Sequence, residues 1–336
     1  SKDLMFGEHY FPVHSKAALL GGKECLMQDF QLPKVKALGS GGYGTVKLAW
    51  HKPTNQTFAI KSIIEMNPAW HKWIRAEECI QYGLDFPFIT KHYCTMVDDW
   101  YAWLVLEYIQ GSTLRRILQN NPSILDPRKI IAQLVLALEY VHLNKIVIGD
   151  LTTSNVMITE VGGDVKIIDF GFALRGQSSA PPTWDEGRTL PDFGTNPFSD
   201  WFALGYILFE CLVALRPYSS ERSESSRSSS YQLVYNPNNP EVFLPPPRSR
   251  QRFKNPRWLS PSKLSLEQCA NLIDHQACDL IGKLIGFPTS DNWMQTWGLT
   301  AETRTQIRNH PWLEGFDWAT LEATVQDKMK VLPYNV

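Results

Sequence analysis

Two neighbouring groups of polar residues stand out in the middle of the sequence. Asp150 and Asn155 are separated by four residues, and Asp169-Phe170-Gly171 follows them. Because carboxylate and amide oxygens are the ligands that hard cations prefer, Asn155 and Asp169 are candidate ligands for Mg²⁺. Asp150 is a candidate base that accepts the proton of a substrate hydroxyl group. Taken alone, Asp150 is also compatible with a turn-capping carboxylate, but that interpretation does not explain the whole set.

A glycine-rich segment, Gly39-Ser40-Gly41-Gly42-Tyr43-Gly44, lies in the N-terminal part of the chain. Glycines let backbone N–H groups approach phosphate oxygens, because no Cβ stands in the way. A simple hairpin turn and a dinucleotide-binding loop are the alternatives, and the second requires a helix directly after the glycines. Here Val46-Lys47-Leu48-Ala49-Trp50 continues as a strand pattern, which argues against a dinucleotide site.

Lys61 lies on the next predicted strand, from where it could reach phosphates held by the glycine-rich segment. A lone Lys on a strand is more often a solvent-exposed residue. An amine in this role needs a carboxylate to fix its direction, and a helix predicted over Trp73–Leu84 carries two candidates, Glu77 and Glu78. The residues alone leave the choice between them open.

The order of the predicted elements suggests a small β-rich lobe followed by a larger helical one. The predicted strands are Val46–Ala49, Phe58–Ile63 and Trp103–Tyr108, with a turn at Lys52–Asn55. Asp126-Pro127 is a helix N-cap signature, and Trp201–Leu215 is apolar on nearly every side, which predicts a fully buried helix. Ser265 and Gln268 match a capping box before a helix that includes Leu272, Ile273, Leu280 and Leu284.

Composition excludes several classes of protein. The 336 residues have a formal net charge of −1, which gives no general attraction to nucleic acid or membrane. No apolar run reaches transmembrane length, and no secretory leader is evident. The six cysteines lie apart without a C-x-x-C pair, which predicts free thiols in a reducing, cytoplasmic environment: Cys25, Cys79, Cys94, Cys211, Cys269 and Cys278.

The combined motifs resemble those of the protein kinases, over about residues 31–336. Within that family the chain is most similar to AGC-type Ser/Thr kinases, and among them to the catalytic domain of the cyclic-GMP-dependent kinases. The runs that carry this similarity are Phe86-Pro87-Phe88, Asp169-Phe170-Gly171-Phe172-Ala173 and His310-Pro311-Trp312-Leu313-Glu314-Gly315-Phe316-Asp317-Trp318. The resemblance implies a bilobal α+β fold with a small N-lobe, built around a sheet and one main helix, and a larger α-helical C-lobe.

The resemblance also implies an ATP-dependent Ser/Thr protein kinase that uses Mg²⁺ and acts on protein substrates. Asp150, Lys61 and Glu77 would then be catalytic, Asn155 and Asp169 would hold the metal, and Asp200 would brace the catalytic loop. Val46 and Ala59 would cover the adenine from above and Met157 from below, with Leu106 as gatekeeper and the backbone of Glu107 and Ile109 bonded to the adenine edge. The full implied ATP site is Leu38, Gly39, Ser40, Gly41, Gly42, Tyr43, Gly44, Val46, Ala59, Lys61, Leu106, Glu107, Ile109 and Met157.

The resemblance divides the chain into three parts. Residues 31–110 correspond to the N-lobe and residues 111–336 to the C-lobe with its C-terminal tail. Residues 1–30 are similar to the end of a cyclic-nucleotide-binding domain, but Lys16 stands where that family has an Arg that grips the cyclic phosphate. We therefore do not expect this chain alone to bind a cyclic nucleotide. Because the chain begins with Ser1 and not with Met, we keep the hypothesis that it is a fragment of a longer protein.

Four departures from the kinase pattern affect catalysis or substrate choice. Thr152 replaces a lysine that neutralises charge on the transferring phosphoryl group. By analogy with oxyanion donors, the loss of this lysine would raise the activation barrier for phosphoryl transfer by about 3 kcal/mol. Gly149 replaces the Arg that pairs with a phosphorylated activation-loop residue, and Pro191 occupies that phosphosite. Two carboxylates that read basic substrates are replaced by Thr113 and Ser154, although Glu210 remains.

The fourth departure is a missing A-P-E segment. Gly194-Thr195-Asn196-Pro197 leads almost directly into Asp200, and Asp291 stands where the pairing Arg is expected. A gene-model or splicing error is an alternative explanation, but it does not account for Thr152. These departures keep a second hypothesis open, an ATP-binding pseudokinase with a scaffold role. A third hypothesis makes the Ser-, Pro- and Arg-rich insertion at residues 219–262, predicted as a mobile, solvated loop, a docking site for another protein.

Overall fold

The structure is a computed structural model, and it describes thirteen stretches of the chain. These are residues 3–6, 9–12, 25–33, 37–41, 44–64, 80–97, 101–175, 197–215, 234–236, 239–244, 262–264, 273–285 and 301–332.

The N-terminal lobe is built on one antiparallel sheet. After a separate hairpin of β1 (Asp3–Phe6) and β2 (His9–Pro12), the sheet strands are β3 (Phe30–Gln31), β4 (Gly39–Gly41), β5 (Gly44–His51), β6 (Gln56–Ile64), β7 (His92–Val97) and β8 (Tyr101–Glu107). Their spatial order is β3-β5-β6-β8-β7, with β4 paired to β5. The sheet therefore contains all three strands that the sequence predicts.

The connection between β5 and β6 is the predicted turn. Asn55 has a φ of 55°, in the left-handed region that Asn tolerates better than most residues. The indole N–H of Trp50 donates to Asn55 Oδ1 at 3.0 Å and fixes this corner. The tight turn sets a register in which Val46 lies opposite Lys61.

The two faces of this sheet have different roles because side chains alternate along a strand. Phe58 and Ile60 of β6 are buried in one hydrophobic cluster, whereas Ala59 and Ile63 are buried in another on the opposite face. Lys61 shares the face of Ala59 and Ile63, since it lies at the same parity on β6. The alternation thus directs Lys61 into the space between the lobes.

The prediction that all cysteines are free thiols is wrong for two of them. Cys25 and Cys94 form a disulfide, with their Cα atoms 6.5 Å apart. Cys94 on β7 is fully buried, and Cys25 packs against the same hydrophobic cluster, so the segment before β3 brings the two sulfur atoms together. Cys211 and Cys278 are buried thiols, as predicted.

The C-terminal lobe is mainly helical, with short strands between the helices. Its helices are α1 (Leu114–Asn120), α2 (Pro127–Leu143), α3 (Phe198–Ala214), α4 (His275–Ile285), α5 (Ala301–Arg308) and α6 (Trp318–Ala323). Five short strands lie between α1 and α3 or just before α1, and they are β9 (Gly111–Thr113), β10 (Ile146–Val147), β11 (Val156–Thr159), β12 (Val165–Ile167) and β13 (Leu174–Arg175). The predicted bilobal α+β fold is confirmed.

Helix α2 forms the centre of the C-lobe. Asp126 caps it as predicted, because its carboxylate accepts hydrogen bonds from the backbone of Arg128 and Lys129 at 3.0 and 3.3 Å. The helix is buried from Ile130 to His142, and it packs against α3. The prediction that this helix is buried on nearly every side is confirmed only for part of α3: Trp201, Leu204 and Leu208 are buried, whereas Phe202, Tyr206 and Leu212 are partly exposed. The helix also begins earlier than predicted, at Phe198.

Two other predicted helices differ from their expected bounds. The helix predicted to include Ile273, Leu280 and Leu284 begins only at His275, so Ile273 lies before it. Asp274 caps the helix, because its carboxylate accepts a hydrogen bond from Ala277 N at 3.3 Å. The predicted capping box at residues 265–268 lies outside the described residues. Of the helix predicted over Trp73–Leu84, residues 80–83 are helical and Leu84 is not.

The Ser-, Pro- and Arg-rich insertion is not a loop throughout. Strands β14 (Val234–Asn236), β15 (Asn239–Leu244) and β16 (Ser262–Leu264) form a three-stranded antiparallel sheet. The prediction of a solvated loop is therefore wrong for these segments. Apolar and β-branched residues such as Val234, Val242 and Phe243 explain the difference, since they favour a strand over a loop.

Among the described residues, no helix has both the length and the apolar composition that a bilayer crossing requires. The cytoplasmic location and the division into residues 1–30, 31–110 and 111–336 stay predictions.

A buried ion pair connects three helices of the C-lobe. The guanidinium of Arg308 on α5 donates to both carboxylate oxygens of Glu139 on α2, at 2.8 and 2.9 Å. Its Nε donates to Glu322 on α6 at 2.6 Å. Burial alone would lower the pKa of Arg308, but these hydrogen bonds raise it. Because the Glu139 side chain is only 4% exposed, the hydrogen bonds from Arg308 replace those that its carboxylate would form with water.

We expect Arg308→Met to destabilise the fold by about 3–5 kcal/mol, because it leaves the Glu139 carboxylate buried without a partner. Arg304→Met is the matched control, since Arg304 lies on the same helix and is exposed. Urea unfolding of both variants measures the difference. A loss for Arg308→Met no greater than that for Arg304→Met would contradict the role given to this ion pair.

Candidate functional site

Lys61 and Asp169 meet across the space between the two lobes. Lys61 Nζ donates to Asp169 Oδ1 at 3.2 Å, although the two residues are 108 positions apart in sequence. Lys61 is 8% exposed on β6, and Asp169 lies in the loop after β12. Gly171 N also donates to Asp169 Oδ1, at 3.1 Å, so two donors hold the same oxygen atom. An oriented amine and an oriented carboxylate are thus held together as the sequence predicts.

Asp150 and Asn155 form the second half of the site. The Asn155 amide donates to the Asp150 backbone carbonyl at 2.8 Å and to Asp150 Oδ2 at 3.1 Å. Asn155 O accepts from Ile168 N at 3.0 Å, which places Asn155 beside the residue that precedes Asp169. The loop 150–155 and the Asp169 segment therefore lie side by side.

Asp200 braces this loop from below, as predicted. Its buried carboxylate accepts from Ile148 N and Gly149 N, each at 2.9 Å, the two residues before Asp150. His142 Nε2 lies 2.8 Å from Asp200 Oδ2 and donates the third hydrogen bond, a contact that sequence reasoning missed. Gly149 has a φ of 74°, a conformation that L side chains rarely adopt. Glycine at this position thus suits the braced backbone.

Apolar side chains line the space above and below. Val46, Ala59 and Leu106 belong to one cluster on the cleft-facing side of the sheet. Met157 alternates on β11 with the buried residues Val156 and Ile158 and is itself partly exposed, so it points away from the C-lobe core. Val46, Ala59 and Leu106 thus lie on strands of the sheet and Met157 on β11, and their roles in binding adenine stay predictions.

The segment between the lobes is held by a salt bridge that the sequence did not reveal. Lys166 Nζ on β12 lies 2.8 Å from Glu107 Oε1, and the Glu107 carboxylate also accepts from Lys91 N at 3.1 Å. Glu107 N donates to Lys91 O at 2.9 Å, so it is already engaged. Ile109 is buried, and its backbone forms no hydrogen bond with another described backbone group. The Ile109 backbone therefore stays available to a ligand.

The glycine-rich segment forms the hairpin of β4 and β5, in which Ser40 pairs with Thr45 and Gly41 with Gly44. Gly44 has a φ of 141°, and a Cβ there would lie 2.2 Å from Ser62 O, so only glycine fits. Leu38, which precedes the glycine-rich segment, is about half-exposed. The other predicted loop residues, Gly42 and Tyr43, lie outside the described residues, as do Glu77 and Glu78.

Glu210 and Thr113 occupy two positions where the resemblance implies carboxylates that contact the substrate, but both residues have other partners. Glu210 on α3 accepts from Thr153 Oγ1 at 2.9 Å and from Tyr206 OH at 3.3 Å. Burial raises the pKa of Glu210, against these hydrogen bonds and the charge of Arg115, which lower it. The Thr113 hydroxyl accepts from Arg116 N at 3.3 Å and caps α1. Glu210 and Thr113 thus serve the fold locally.

The residues at the site fit a bound Mg²⁺. Within the described part of the chain, both hydrogen bonds to the Asp169 carboxylate end on Oδ1, and those of the Asn155 side chain use its nitrogen. Asp169 Oδ2 and Asn155 Oδ1 therefore remain as oxygen donors on adjacent segments. Mg²⁺ is commonly held by one or two such protein oxygens together with substrate phosphates.

Comparison with known proteins agrees with this geometry. Residues 32–312 match the family model of the protein kinase domain. The chain is 26% identical to the protein "cAMP-dependent protein kinase, catalytic subunit-like" of Caenorhabditis elegans over 318 residues. This alignment covers 91% of this chain and 70% of that protein. It is 28% identical over 316 residues to cGMP-dependent protein kinase, isozyme 1, of Drosophila melanogaster, covering 88% and 37%. It is 26% identical over 313 residues to cAMP-dependent protein kinase type 3 of Saccharomyces cerevisiae, covering 88% and 67%.

Proposed function

Because the chain belongs to the protein kinase family, we propose that it transfers the γ-phosphoryl group of ATP to Ser or Thr hydroxyls of proteins. The observation that carries this proposal is the 3.2 Å contact of Lys61 with Asp169 next to the Asp150–Asn155 pair. Protein kinases in general use ATP and Mg²⁺ and act on proteins. The residue roles below are part of the proposal.

ATP would lie between the sheet and β11. Val46, Ala59 and Leu106 form an apolar surface for the adenine ring on the sheet side, and Met157 supplies the opposite surface. The backbone of Ile109, with the backbone carbonyl of Glu107, would hydrogen-bond to the adenine edge. The salt bridge of Glu107 with Lys166 holds this segment in place, so the adenine contacts require little reorganisation.

The phosphates would lie between the glycine hairpin and Asp169. Backbone N–H groups of residues 39–44 can approach the phosphate oxygens closely. Lys61, oriented by Asp169, would place its ammonium group on them, with Glu77 as its expected second partner. Asn155 Oδ1 and Asp169 Oδ2 would hold Mg²⁺, which when bound neutralises charge on the phosphates.

Asp150 would accept the proton of the attacking hydroxyl group. Its carboxylate is oriented by the Asn155 amide, and its backbone follows the two residues that Asp200 binds. A carboxylate held in this way offers one oxygen lone pair in a fixed direction, which is what general base catalysis requires. The residue serves only the hydroxyl side of the reaction.

A pseudokinase is the second candidate function. The observation that favours it is Thr152, which places no positive charge near the transferring phosphoryl group. The absent A-P-E segment points in the same direction, because that segment holds the protein substrate in the family. The same fold could then bind ATP and act as a scaffold or an allosteric partner.

Binding of Mg·ATP tests the site that both candidates require. At a concentration one hundred times Kd, the nucleotide should stabilise the protein by about 2.7 kcal/mol, visible as a rise in Tm. Lys61→Met should abolish most of the rise, whereas Lys47→Met, an exposed lysine on the neighbouring strand, should keep it. Absence of a rise in the unmodified protein would contradict both candidates.

A further inference from the structure

Helix α1 starts directly beside the loop that carries Asp150. Arg115 N donates to Thr153 O at 2.8 Å, so the first turn of α1 is bound to the loop through the backbone. Thr153 is three residues after Asp150, so their Cα atoms are at most about 11 Å apart. Arg115 therefore lies at the edge of the place where a substrate hydroxyl group would approach Asp150.

The first turn of α1 carries two exposed arginines and no acidic residue. Neither Arg115 nor Arg116 forms an ion pair or a side-chain hydrogen bond with a residue that the structure describes. Positive charge in the first turn opposes the helix dipole and is locally unfavourable. Residues that break a local rule are commonly found at functional sites.

The carboxylate next to these arginines, Glu210, already has hydrogen-bond and charge partners. Glu210 is engaged by Thr153 and Tyr206, and the charge of Arg115 acts on it. The Thr113 hydroxyl is occupied by the cap of α1. Two exposed guanidinium groups thus stand beside one carboxylate that already has partners, which leaves an excess of positive charge on the first turn of α1.

We propose that Arg115 and Arg116 form a subsite for acidic side chains of the substrate peptide. An extended peptide rises about 3.3 Å per residue, so the subsite would read residues about two to four positions from the acceptor hydroxyl. This inference rests on the proposed function and names its substrate class. It predicts a preference opposite to the basic one that the resemblance implies.

Peptide binding and phosphoryl transfer are measured separately to test it. Fluorescent Ser peptides carry Glu, Gln or Arg at each position within four residues of the serine, and anisotropy gives Kd in the presence of Mg·ATP analogue. We expect the Glu peptides to bind about fivefold more tightly than the Gln peptides, as for an exposed ion pair, and the Arg peptides to bind more weakly than both.

Variants then assign the preference to the two arginines. Arg115→Glu with Arg116→Glu should reverse the order of the Glu and Arg peptides, and Arg115→Gln should remove about half of the preference. Arg304→Glu is the control, because Arg304 is exposed on α5 and outside the site. A reversed order in the unmodified protein, or an order that the Arg115 variants leave unchanged, would overturn the proposal.

The two proposals fail in different ways. If no peptide is phosphorylated but the Glu preference in Kd is present and depends on Arg115, the kinase proposal fails and the subsite stands. If peptides are phosphorylated with no preference for Glu, the subsite proposal fails and the kinase proposal stands.

Discussion

Asp150→Asn is expected to slow phosphoryl transfer to a peptide serine by about 10²- to 10⁴-fold, the usual contribution of a positioned general base. Asn has nearly the same shape and can still bond to the Asn155 side chain, but its amide cannot accept the hydroxyl proton. The role proposed for Asp150 lies on the hydroxyl side of the reaction, so the affinity for Mg·ATP should stay within about twofold. Initial rates with saturating Mg·ATP measure the first effect, and nucleotide-induced shifts in Tm measure the second.

Asp126→Asn is the matched control for this substitution. Asp126 caps α2 far from the loop in sequence, and Asn is an equally good N-cap, so both rate and stability should be unchanged. Transfer by Asp150→Asn at the rate of the unmodified protein would contradict the general base role. Loss of nucleotide binding in Asp150→Asn would instead show that Asp150 shapes the ATP site itself.

The parts of the site that were predictable from sequence are those encoded by short, local patterns. Lys61 follows from strand alternation, and Asn155 and Asp169 follow from motifs of a few residues. Their convergence is a consequence of the fold, because β6 and the loop after β12 meet between the lobes at 3.2 Å. The same local logic predicted the Asp126 cap and the turn at Asn55, since capping and left-handed turns depend on residues close in sequence.

The contacts that escaped prediction depend on residues far apart in the chain. Thr153 and Glu210 are 57 residues apart, and only the packing of α3 against the loop 150–155 brings them within 2.9 Å. The pairing of Glu107 with Lys166 across 59 residues is of the same kind. A sequence pattern identifies a carboxylate but not its partner, so Glu210 looked available to a substrate when it is bound internally.

Gly149 and Asp200 show how a departure from the family can fit the fold. The positive φ of Gly149 lets its N–H reach Asp200 while Ile148 N reaches the other oxygen. The Asp200 carboxylate thus braces the loop that carries Asp150 through two backbone N–H groups, and this bracing does not require an arginine. A loop fixed in this way keeps Asp150 in place. The loss that remains in this loop is at Thr152, which supplies no positive charge to the transferring phosphoryl group.

Thr152→Lys is therefore expected to accelerate phosphoryl transfer by about 10²- to 10³-fold, the effect of restoring one charge-stabilising donor at a reacting centre. Thr152 is partly exposed, and its backbone carbonyl accepts from Asn155 N at 2.9 Å, so a longer side chain can extend from a fixed backbone. The gain should be in kcat, because a lysine that meets charge developing in the transition state contributes little to the ground state.

Thr152→Met separates charge from size in this experiment, since methionine has a similar length without an ammonium group. Thr152→Met should transfer phosphate at nearly the rate of the unmodified protein. The double variant Asp150→Asn, Thr152→Lys should be slow, because it lacks the general base. Equal rates for Thr152→Lys and Thr152→Met would mean that charge at this position does not limit transfer. The limiting step would then lie in how the protein substrate is held, which is the function that the missing A-P-E segment has in the family, and the pseudokinase would become the better hypothesis.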